Sequence, residues 1–267
     1  MNEPTADLAT VAGEAVRAPG DYLRATFRNG HVDGEYDGVD VKAVVDREAQ
    51  RRVRSVIESA YPDHAFDGEE SERLDEADNE SAYRWVVDPL DGTNNFASGL
   101  PKFATAAAVR HRGEPVAAAI YEPLVDDLYV AERGGGARLN GEPLRADTSL
   151  PLEHGTVALV VGLSAVTDPA LARQVDTLES GVRKHCKRVV TTWAPCVDWA
   201  LLARGAIEGL VAFHPDAYEQ DAGALLAAES GIEAVDTVAE NGRYVGTPDA
   251  ETTQRLAAIV DETLSGY

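Results

Sequence analysis

The spacing of apolar residues in the N-terminal half of the chain predicts helices first and strands afterwards. Residues 5–28 place apolar side chains at helical intervals, interrupted at Pro19 and Gly20, and residues 47–60 predict a second helix. From residue 84 onward, apolar and β-branched runs separated by turn residues are typical of strands. The predicted strands are 84–88, 103–111, 115–123 and 128–132, followed by a hairpin over 137–144.

The C-terminal half alternates between the two patterns. The predicted strands lie near 156–162, around 186–191 and over 207–213, and the predicted helices over 168–180, 196–204, 218–230 and 248–264. A strand-rich half followed by an alternating half predicts an α+β or layered α/β architecture. We therefore expect an N-terminal α+β half over residues 1–145 and a C-terminal α/β half over residues 146–267, which together form one compact unit.

One predicted strand ends in an acidic turn, which reads Asp88-Pro89-Leu90-Asp91-Gly92. Pro89 cannot donate a ladder hydrogen bond, and Gly92 can adopt backbone conformations that other residues resist. Such a turn can direct both carboxylates, and the Leu90 carbonyl between them, at one point. Hard cations such as Mg²⁺ bind oxygen ligands of this kind. The turn is therefore a candidate metal site.

The backbone just after this turn suits a phosphate group. Gly92, Thr93 and Asn94 stand where a short helix would begin, and the first N–H groups of a helix can bind a phosphate oxygen. A metal site beside a phosphate-binding segment predicts phosphoryl chemistry. The same residue types also make ordinary solvent-exposed turns, so this motif alone leaves both interpretations open.

A second acidic strand end lies upstream. Residues 62–71 form a short strand-like segment that contains Gly68-Glu69-Glu70 near its end. Adjacent glutamates usually form a solvated face, especially in so acidic a chain. Two acidic strand ends separated by about one loop are less easily explained in that way, and they favour a shared site.

The composition argues against several classes of partner. The chain has 46 acidic and 24 basic residues, for a formal net charge of −22, and only four of the basic residues are lysines. Such a surface repels nucleic acids and anionic membranes. It resembles proteins of salt-accumulating halophiles, with an acidic mesophilic enzyme as the alternative. No apolar run approaches a membrane span of about 18 residues, and the N-terminus lacks a signal pattern. We expect a cytoplasmic protein with reduced cysteines, Cys186 and Cys196.

The two acidic motifs occur together with further recognisable segments. The pair is GEES at 68–71 and WVVDPLDGTNNF at 85–96, accompanied by residues 41–46 and 121–141. Together they resemble the inositol monophosphatase superfamily of Mg²⁺-dependent, lithium-sensitive phosphatases, which includes fructose-1,6-bisphosphatases and nucleotide 3′-phosphatases. The resemblance is strong from about residue 40 to 145 and weaker afterwards. It implies alternating α/β/α/β/α layers, a site between the two halves, and a homodimer.

The resemblance also implies roles for individual residues. Two or three Mg²⁺ ions, which Mn²⁺ can replace, would be held by Glu69, Asp88, the Leu90 carbonyl and Asp91. Phosphate would be bound by the N–H groups of Gly92, Thr93 and Asn94. The Thr93 hydroxyl, bonded to Asp46, would orient the attacking water, and Glu70 would assist from nearby. For Asp46 alone a helix N-cap is the competing interpretation, and for Thr93 it is a turn hydroxyl.

The family's next metal ligand is an Asp in the pattern W-D-x-A-A-G, which this chain does not reproduce. Residues 218–223 read YEQDAG. Aligning Ala222 and Gly223 with the family helix puts Glu219 at the Asp position, whereas Asp221 would require a two-residue shift. The two positions lie about 200° apart on a helix, so only one can face the metals. We prefer Glu219, with Asp221 as the alternative.

A second departure affects the wall that contacts the substrate. Where the family usually shows G-S-A-A-x-D, this chain has WAPCVD over residues 193–198. Trp193 and Ala194 are therefore candidate substrate-binding residues, with core packing as the competing interpretation for Trp193. Because Trp193 and Pro195 alter this wall, inositol specificity cannot be carried over from the family.

The sequence leaves three functions to compare. The first is Mg²⁺-dependent hydrolysis of a small phosphomonoester of the inositol-phosphate or sugar-phosphate type. The second is a fructose-1,6-bisphosphatase or 3′-phosphoadenosine 5′-phosphatase, which would need basic pocket residues such as Lys187, Arg188 or Arg204. The third is a catalytically impaired, metal-binding homologue with a regulatory role.

Overall fold

The computed structural model describes residues 7–30, 34–37, 40–71, 81–147 and 150–266. The helical segment predicted over 5–28 forms two helices, α1 (Leu8–Arg17) and α2 (Gly20–Asn29), on either side of the predicted interruption. Proline lacks a backbone N–H, so Pro19 ends the run of helical hydrogen bonds and precedes the first residue of α2. Helix α3 (Val44–Ala60) begins at Val44, earlier than the predicted residue 47.

A seven-stranded sheet follows, with its strands in chain order. The strands are β3 (Ala65–Gly68), β4 (Tyr83–Asp91), β5 (Ala104–His111), β6 (Glu114–Glu122), β7 (Asp127–Glu132), β8 (Gly136–Leu139) and β9 (Glu142–Leu144). A short pair, β1 (Gly34–Asp37) and β2 (Asp40–Ala43), precedes α3, and a short helix α4 (Thr93–Ala97) links β4 to β5. The β3 and β4 pair is parallel and the other pairs of this sheet are antiparallel.

A five-stranded sheet is built from the later part of the chain. Its strands are β10 (Thr156–Val161), β11 (Arg188–Val190), β12 (Gly209–Phe213), β13 (Glu233–Thr237) and β14 (Arg243–Thr247), in the order β11-β10-β12-β14-β13. The helices are α5 (Leu163–Thr167), α6 (Pro169–Val182), α7 (Pro195–Ala203), α8 (Ala217–Ser230), α9 (Val238–Asn241) and α10 (Ala250–Leu264). The sequence prediction omitted β1, β2, β13, β14, α5 and α9. It missed β13 because this edge strand buries none of its residues fully.

Three apolar clusters stack these elements into five layers. One cluster joins α1 and α3 to the seven-stranded sheet, a second joins that sheet to α7, α8 and the five-stranded sheet, and a third joins the five-stranded sheet to α6 and α10. Strand β5 contributes to two of these clusters, because successive side chains of a strand point to opposite faces. Its residues Ala106 and Ala107 are both fully buried, in different clusters. The predicted α/β/α/β/α layering is confirmed. Within the described residues, no helix is both long and apolar enough to cross a bilayer.

Candidate active site

The acidic turn at the end of β4 has a fixed backbone. Pairing of β4 with β5 becomes irregular between Asp88 and Asp91, and the Asp88 Oδ1 accepts a hydrogen bond of 3.0 Å from the Leu90 N–H. Gly92 has a φ of 84°, and a Cβ there would lie 2.8 Å from the Lys102 carbonyl oxygen. A residue with a side chain would therefore be both strained and in collision. This local chemistry holds Asp88 and Asp91 together.

Helix α3 brings Asp46 to this turn. The Thr93 hydroxyl oxygen lies 2.7 Å from Asp46 Oδ1 and 2.9 Å from the Leu90 carbonyl oxygen. The hydroxyl has one hydrogen, which it can donate to either acceptor. Asp46 is buried, and because α3 begins at Val44 it lies inside the first turn. The N-cap interpretation of Asp46 is therefore wrong.

Asp91 connects the turn to the C-terminal part of the chain. Its Oδ2 accepts a hydrogen bond of 3.0 Å from the Cys196 N–H, in the first turn of α7. The residue before α7 is Ala194, which has no side-chain group that could cap the helix. A carboxylate at this end satisfies a free N–H and interacts favourably with the helix dipole. Asp91 thus anchors α7 beside the acidic turn.

Helix α8 distinguishes the two candidate carboxylates near its start. Glu219 lines the cleft beside the acidic turn, and its buried Oε2 has no hydrogen-bond partner among the described residues. Its Oε1 lies 3.4 Å from the Asp216 N–H in a capping box. Asp221 faces away and forms a two-contact ion pair with Arg110 of β5, of which the Nη2–Oδ1 contact is 2.7 Å. The structure places Glu219, and not Asp221, in the cleft.

These elements surround a cleft of about 320 Å³. It is lined by Glu69, Asp88, Leu90, Asp91, Gly92, Thr93, Asn94, Val161, Leu163, Trp193, Pro195, Asp216, Tyr218 and Glu219. Five of these residues are acidic, and none of the lining residues that the structure describes is basic. A larger groove of about 420 Å³ beside α1 mixes acidic and basic side chains. The cleft at the acidic turn is the better candidate for metal and phosphate chemistry.

Four carboxyl groups of the cleft have strongly raised pKa values. Burial is the largest cause for Asp88, Asp91, Glu69 and Glu219, and repulsion between neighbouring carboxylates adds to it. Glu69 is open to the cleft, but the surrounding protein still displaces much of its bulk water and raises its pKa. A bound divalent cation would offset this repulsion. The all-oxygen donors and the unpartnered Glu219 Oε2 fit a hard cation such as Mg²⁺.

Sequence reasoning missed Cys196 as a neighbour of this cluster. Its Sγ and carboxylate oxygens of Asp88 and Asp91 all lie within 4.8 Å of one another. Burial and the nearby carboxylates raise the pKa of the thiol well above its usual value, so it stays neutral. No sequence spacing pointed to it, because only the packing of α7 brings it here. Cys186 and Cys196 are both buried and free.

The remaining predicted residues fall in different places. Asn94 and Trp193 line the cleft, whereas Glu70 is half-buried beside it and its N–H donates to the Gln50 side chain at 3.0 Å. Ala194 is fully buried and does not line the cleft, in contrast to its predicted contact with substrate. Its N–H donates to the Thr192 hydroxyl at 3.2 Å. Ala194 therefore lies beneath the wall that Trp193 forms.

The chain matches known proteins over most of its length. The sequence model of the inositol monophosphatase family matches residues 5–264. Inositol-1-monophosphatase of Rhizobium meliloti (strain 1021) is 36% identical over 197 residues, which cover 72% of this chain and 70% of that protein. Nus factor SuhB of Escherichia coli (strain K12) is 32% identical over 230 residues, which cover 84% of this chain and 83% of that protein.

Solved structures share the fold. Extragenic suppressor protein suhB from Bartonella henselae superposes with a TM-score of 0.85 at 25% identity, over 95% of this chain and 98% of that one. Thermotoga maritima IMPase superposes with a TM-score of 0.79 at 23% identity, over 95% and 96% of the two chains. The family match extends through both sheets and through every residue of the acidic cleft. This chain belongs to the inositol monophosphatase family.

Proposed function

We propose that this protein hydrolyses small phosphomonoesters with the help of divalent cations. One observation carries the proposal: four carboxylates from β4, α8 and the end of β3 converge on a cleft with no basic residue among its described lining. Such a cleft repels a phosphate dianion unless cations bind first. Family membership supports the same activity, because the family acts on small phosphate substrates.

The residues that would hold the cations are Glu69, Asp88, Asp91, Glu219 and the Leu90 carbonyl. We propose two or three Mg²⁺ ions, with Mn²⁺ able to replace them, and lithium sensitivity as part of the same proposal. When bound, the cations would neutralise the phosphoryl oxygens, lower the pKa of the attacking water and stabilise the leaving alkoxide. Glu219 is one methylene longer than the family's Asp, so the ion it contacts would be held in a different position.

The chain's own groups would position the water and the phosphate. Thr93 would donate its one hydroxyl hydrogen to Asp46, 2.7 Å away, rather than to the Leu90 carbonyl, and its oxygen would then accept a hydrogen bond from the water. Asp46 would then take up the proton that the water releases through Thr93. The N–H groups of Gly92, Thr93 and Asn94 would bind phosphoryl oxygens. Glu70 would assist the attacking water from its position beside the cleft.

The basic residues that a bisphosphatase would need for its second phosphate do not line this cleft. The Arg188 guanidinium donates to the Thr156 hydroxyl at 2.8 Å, and Arg204 contacts Asp127 and Tyr129. Lys187 directly precedes the edge strand β11, and its N–H donates to the Gly155 carbonyl. None of the three lines the cleft. A single phosphate group is therefore the better fit.

A regulatory role is the second candidate function. The observation that favours it is the set of relatives named Nus factor SuhB, one of them 32% identical. The observation against a role without catalysis is that the chain keeps the carboxylate set and the Thr93–Asp46 hydrogen bond. The net charge of −22 supports the absence of direct nucleic-acid binding.

A substrate panel tests the proposal. Phosphate release would be measured with Mg²⁺ present for glycerol 2-phosphate, inositol 1-phosphate, glucose 1-phosphate, fructose 1,6-bisphosphate and 3′-phosphoadenosine 5′-phosphate. We expect release from monophosphates and poor use of the two bisphosphates. Preference for a bisphosphate would favour the second class of enzyme. No release from any member would leave the regulatory role as the better account.

A further inference from the structure

Trp193 is unusual in both its backbone and its exposure. Its φ is 58°, and 46% of its surface is accessible although it is a large apolar residue. A left-handed backbone is rare for bulky side chains, and glycine adopts it without strain. Trp193 therefore adopts a backbone shape that suits glycine better, and it lines the cleft as an exposed aromatic residue.

The loop that carries Trp193 is fixed on both sides. The Thr192 carbonyl accepts a hydrogen bond of 2.8 Å from the Asn95 side chain, and the Thr192 hydroxyl donates to Asp198 Oδ2 at 2.8 Å. On the other side, Ala194 is buried and its N–H is bonded to Thr192. The indole thus projects from a rigid support, which lowers the entropy cost of using it as a contact surface.

The rest of this wall is largely apolar. Val161, Leu163, Pro195 and Tyr218 line the cleft with Trp193, and Leu163 is itself 39% exposed. The Tyr218 hydroxyl already donates to Asp67 at 3.2 Å. Apart from Tyr218 and Asp216, the polar residues described in the lining are the four carboxylates and the segment 92–94 that the proposed function assigns to metal and phosphate. The Asp216 Oδ2 already accepts the Leu163 N–H at 3.0 Å. A polyhydroxylated leaving group would find few partners for its hydroxyls on such a wall.

We propose that Trp193 stacks against the leaving group, and that the preferred substrates are phosphomonoesters whose alcohol carries a flat unsaturated ring. This inference rests on the proposed phosphatase function. In the reaction a water oxygen bonds to phosphorus, the ester P–O bond breaks, and the ring-bearing alcohol departs after gaining a proton. Aryl phosphates and nucleoside monophosphates share the required ring. Stacking of a ring on an aromatic side chain is favourable and tolerant of ring type.

The kinetic test compares Trp193→Gly with the wild type and with Trp193→Phe, all with Mg²⁺. Glycine relieves the backbone strain, so the variant should have an unchanged or higher thermal midpoint. We expect Trp193→Gly to lower kcat/KM about tenfold for 4-nitrophenyl phosphate and adenosine 5′-monophosphate. The loss of kcat/KM for glycerol 2-phosphate, which has no ring, should be at least about fivefold smaller than the loss for the two ring substrates, and Trp193→Phe should keep most of the activity on both ring substrates. An equal loss on all substrates, or no loss on the ring substrates, would overturn the inference.

Fluorescence tests the stacking without turnover. The chain has three tryptophans, and Trp85 and Trp199 are fully buried, so a surface quencher such as acrylamide reports mainly on Trp193. We expect adenosine to protect the wild type from acrylamide and inositol to leave it unprotected. Quenching that adenosine leaves unchanged would contradict the proposal. So would quenching that decreases as the protein concentration rises, because a second copy would then cover Trp193. If no phosphomonoester is hydrolysed but adenosine still protects Trp193, the phosphatase proposal fails separately from the stacking.

Discussion

The cleft concentrates acidic residues that would repel one another without a cation. Glu69 follows β3, Asp88 and Asp91 end β4, and Glu219 begins α8, so three separate elements deliver four carboxylates. Their pKa values are raised because burial and mutual repulsion disfavour the charged forms. Such a cluster costs folding stability, and binding sites are where proteins retain costs of this kind.

Glu219 and Asp221 allow a matched comparison on one helix. Glu219→Gln should raise the Mg²⁺ concentration for half-maximal rate about tenfold and lower turnover, because the amide removes a charged ligand. Asp221→Asn should leave the Mg²⁺ requirement unchanged and lower the thermal midpoint instead, since Arg110 loses its ionic partner. Steady-state phosphate release with Mg²⁺ titration measures the first effect and thermal unfolding the second. A shifted Mg²⁺ requirement in Asp221→Asn alone would reverse the assignment.

Individual residues were predictable where the chain itself fixes their spacing. Asp88 and Asp91 lie on one turn, so their proximity followed from sequence, as did the orientation difference between Glu219 and Asp221 once a helix was assumed. Cys196 could not be found in this way, because its place beside Asp91 depends on the docking of α7. The left-handed backbone of Trp193 was likewise hidden, since it contradicts the local preference of tryptophan.

At the scale of elements, α7 is the link between the acidic turn and the central layer. Asp91 accepts the Cys196 N–H and so supplies the cap that α7 otherwise lacks. Thr192 lies just before α7, and its hydroxyl donates to Asp198 within the helix at 2.8 Å. Asp198 is buried, which raises its pKa to about 7, while the Thr192 hydroxyl and Lys102 act in the opposite direction. The helix therefore carries a titratable group close to neutral pH.

Asp198→Asn should alter how stability depends on pH. A carboxyl whose pKa is raised from 3.8 to about 7 in the folded state stabilises the fold when protonated. That stability is fully present below about pH 4 and is lost as the pH rises through about 7. Asn does not titrate, so the variant should gain stability relative to the wild type across this interval and then run parallel to it. Urea unfolding of both proteins at several pH values, without metal, measures the difference. A difference independent of pH would show that Asp198 is not buried in its neutral form.

Element types were predicted better than element boundaries and edges. Strands β5 and β6 read clearly as apolar runs because both their faces are buried between layers. Strand β13 was not predicted, since all of its residues are exposed or half-buried at the edge of its sheet. The start of α3 was placed too late because Val44 and Val45 extend the strand-like apolar run before them. Burial on two faces is thus the signal that sequence conveys most reliably.

The whole molecule combines a fold that other solved structures share with a strongly acidic composition. The five layers match those of related structures, with a TM-score of 0.85 for the Bartonella henselae protein. The net charge of −22 opposes compaction through repulsion across the surface. Dissolved salt screens such repulsion, because the Debye length falls from about 10 Å at 0.1 M to about 3 Å at 1 M.

Stability should therefore rise with salt. We expect the thermal midpoint to climb steadily from low to molar KCl at neutral pH, as the halophile hypothesis requires. A control at about pH 5, near the isoelectric point of about 4.5, should show a much weaker response because the net charge is small there. A flat or falling curve at neutral pH would remove the halophile hypothesis and leave the enzymatic proposal intact.

The proposed activity requires the carboxylate cluster to bind the divalent cations that hydrolysis of a phosphomonoester would use. The most direct measurement is the rate of phosphate release against Mg²⁺ concentration for the wild type and Asp88→Asn, with EDTA as the zero point. We predict no activity in EDTA, recovery with Mg²⁺ or Mn²⁺, and a loss of at least ~10³ in Asp88→Asn, whose fold is verified by its circular dichroism spectrum. Full activity in EDTA, or a fully active Asp88→Asn, would contradict metal-dependent hydrolysis at this cluster.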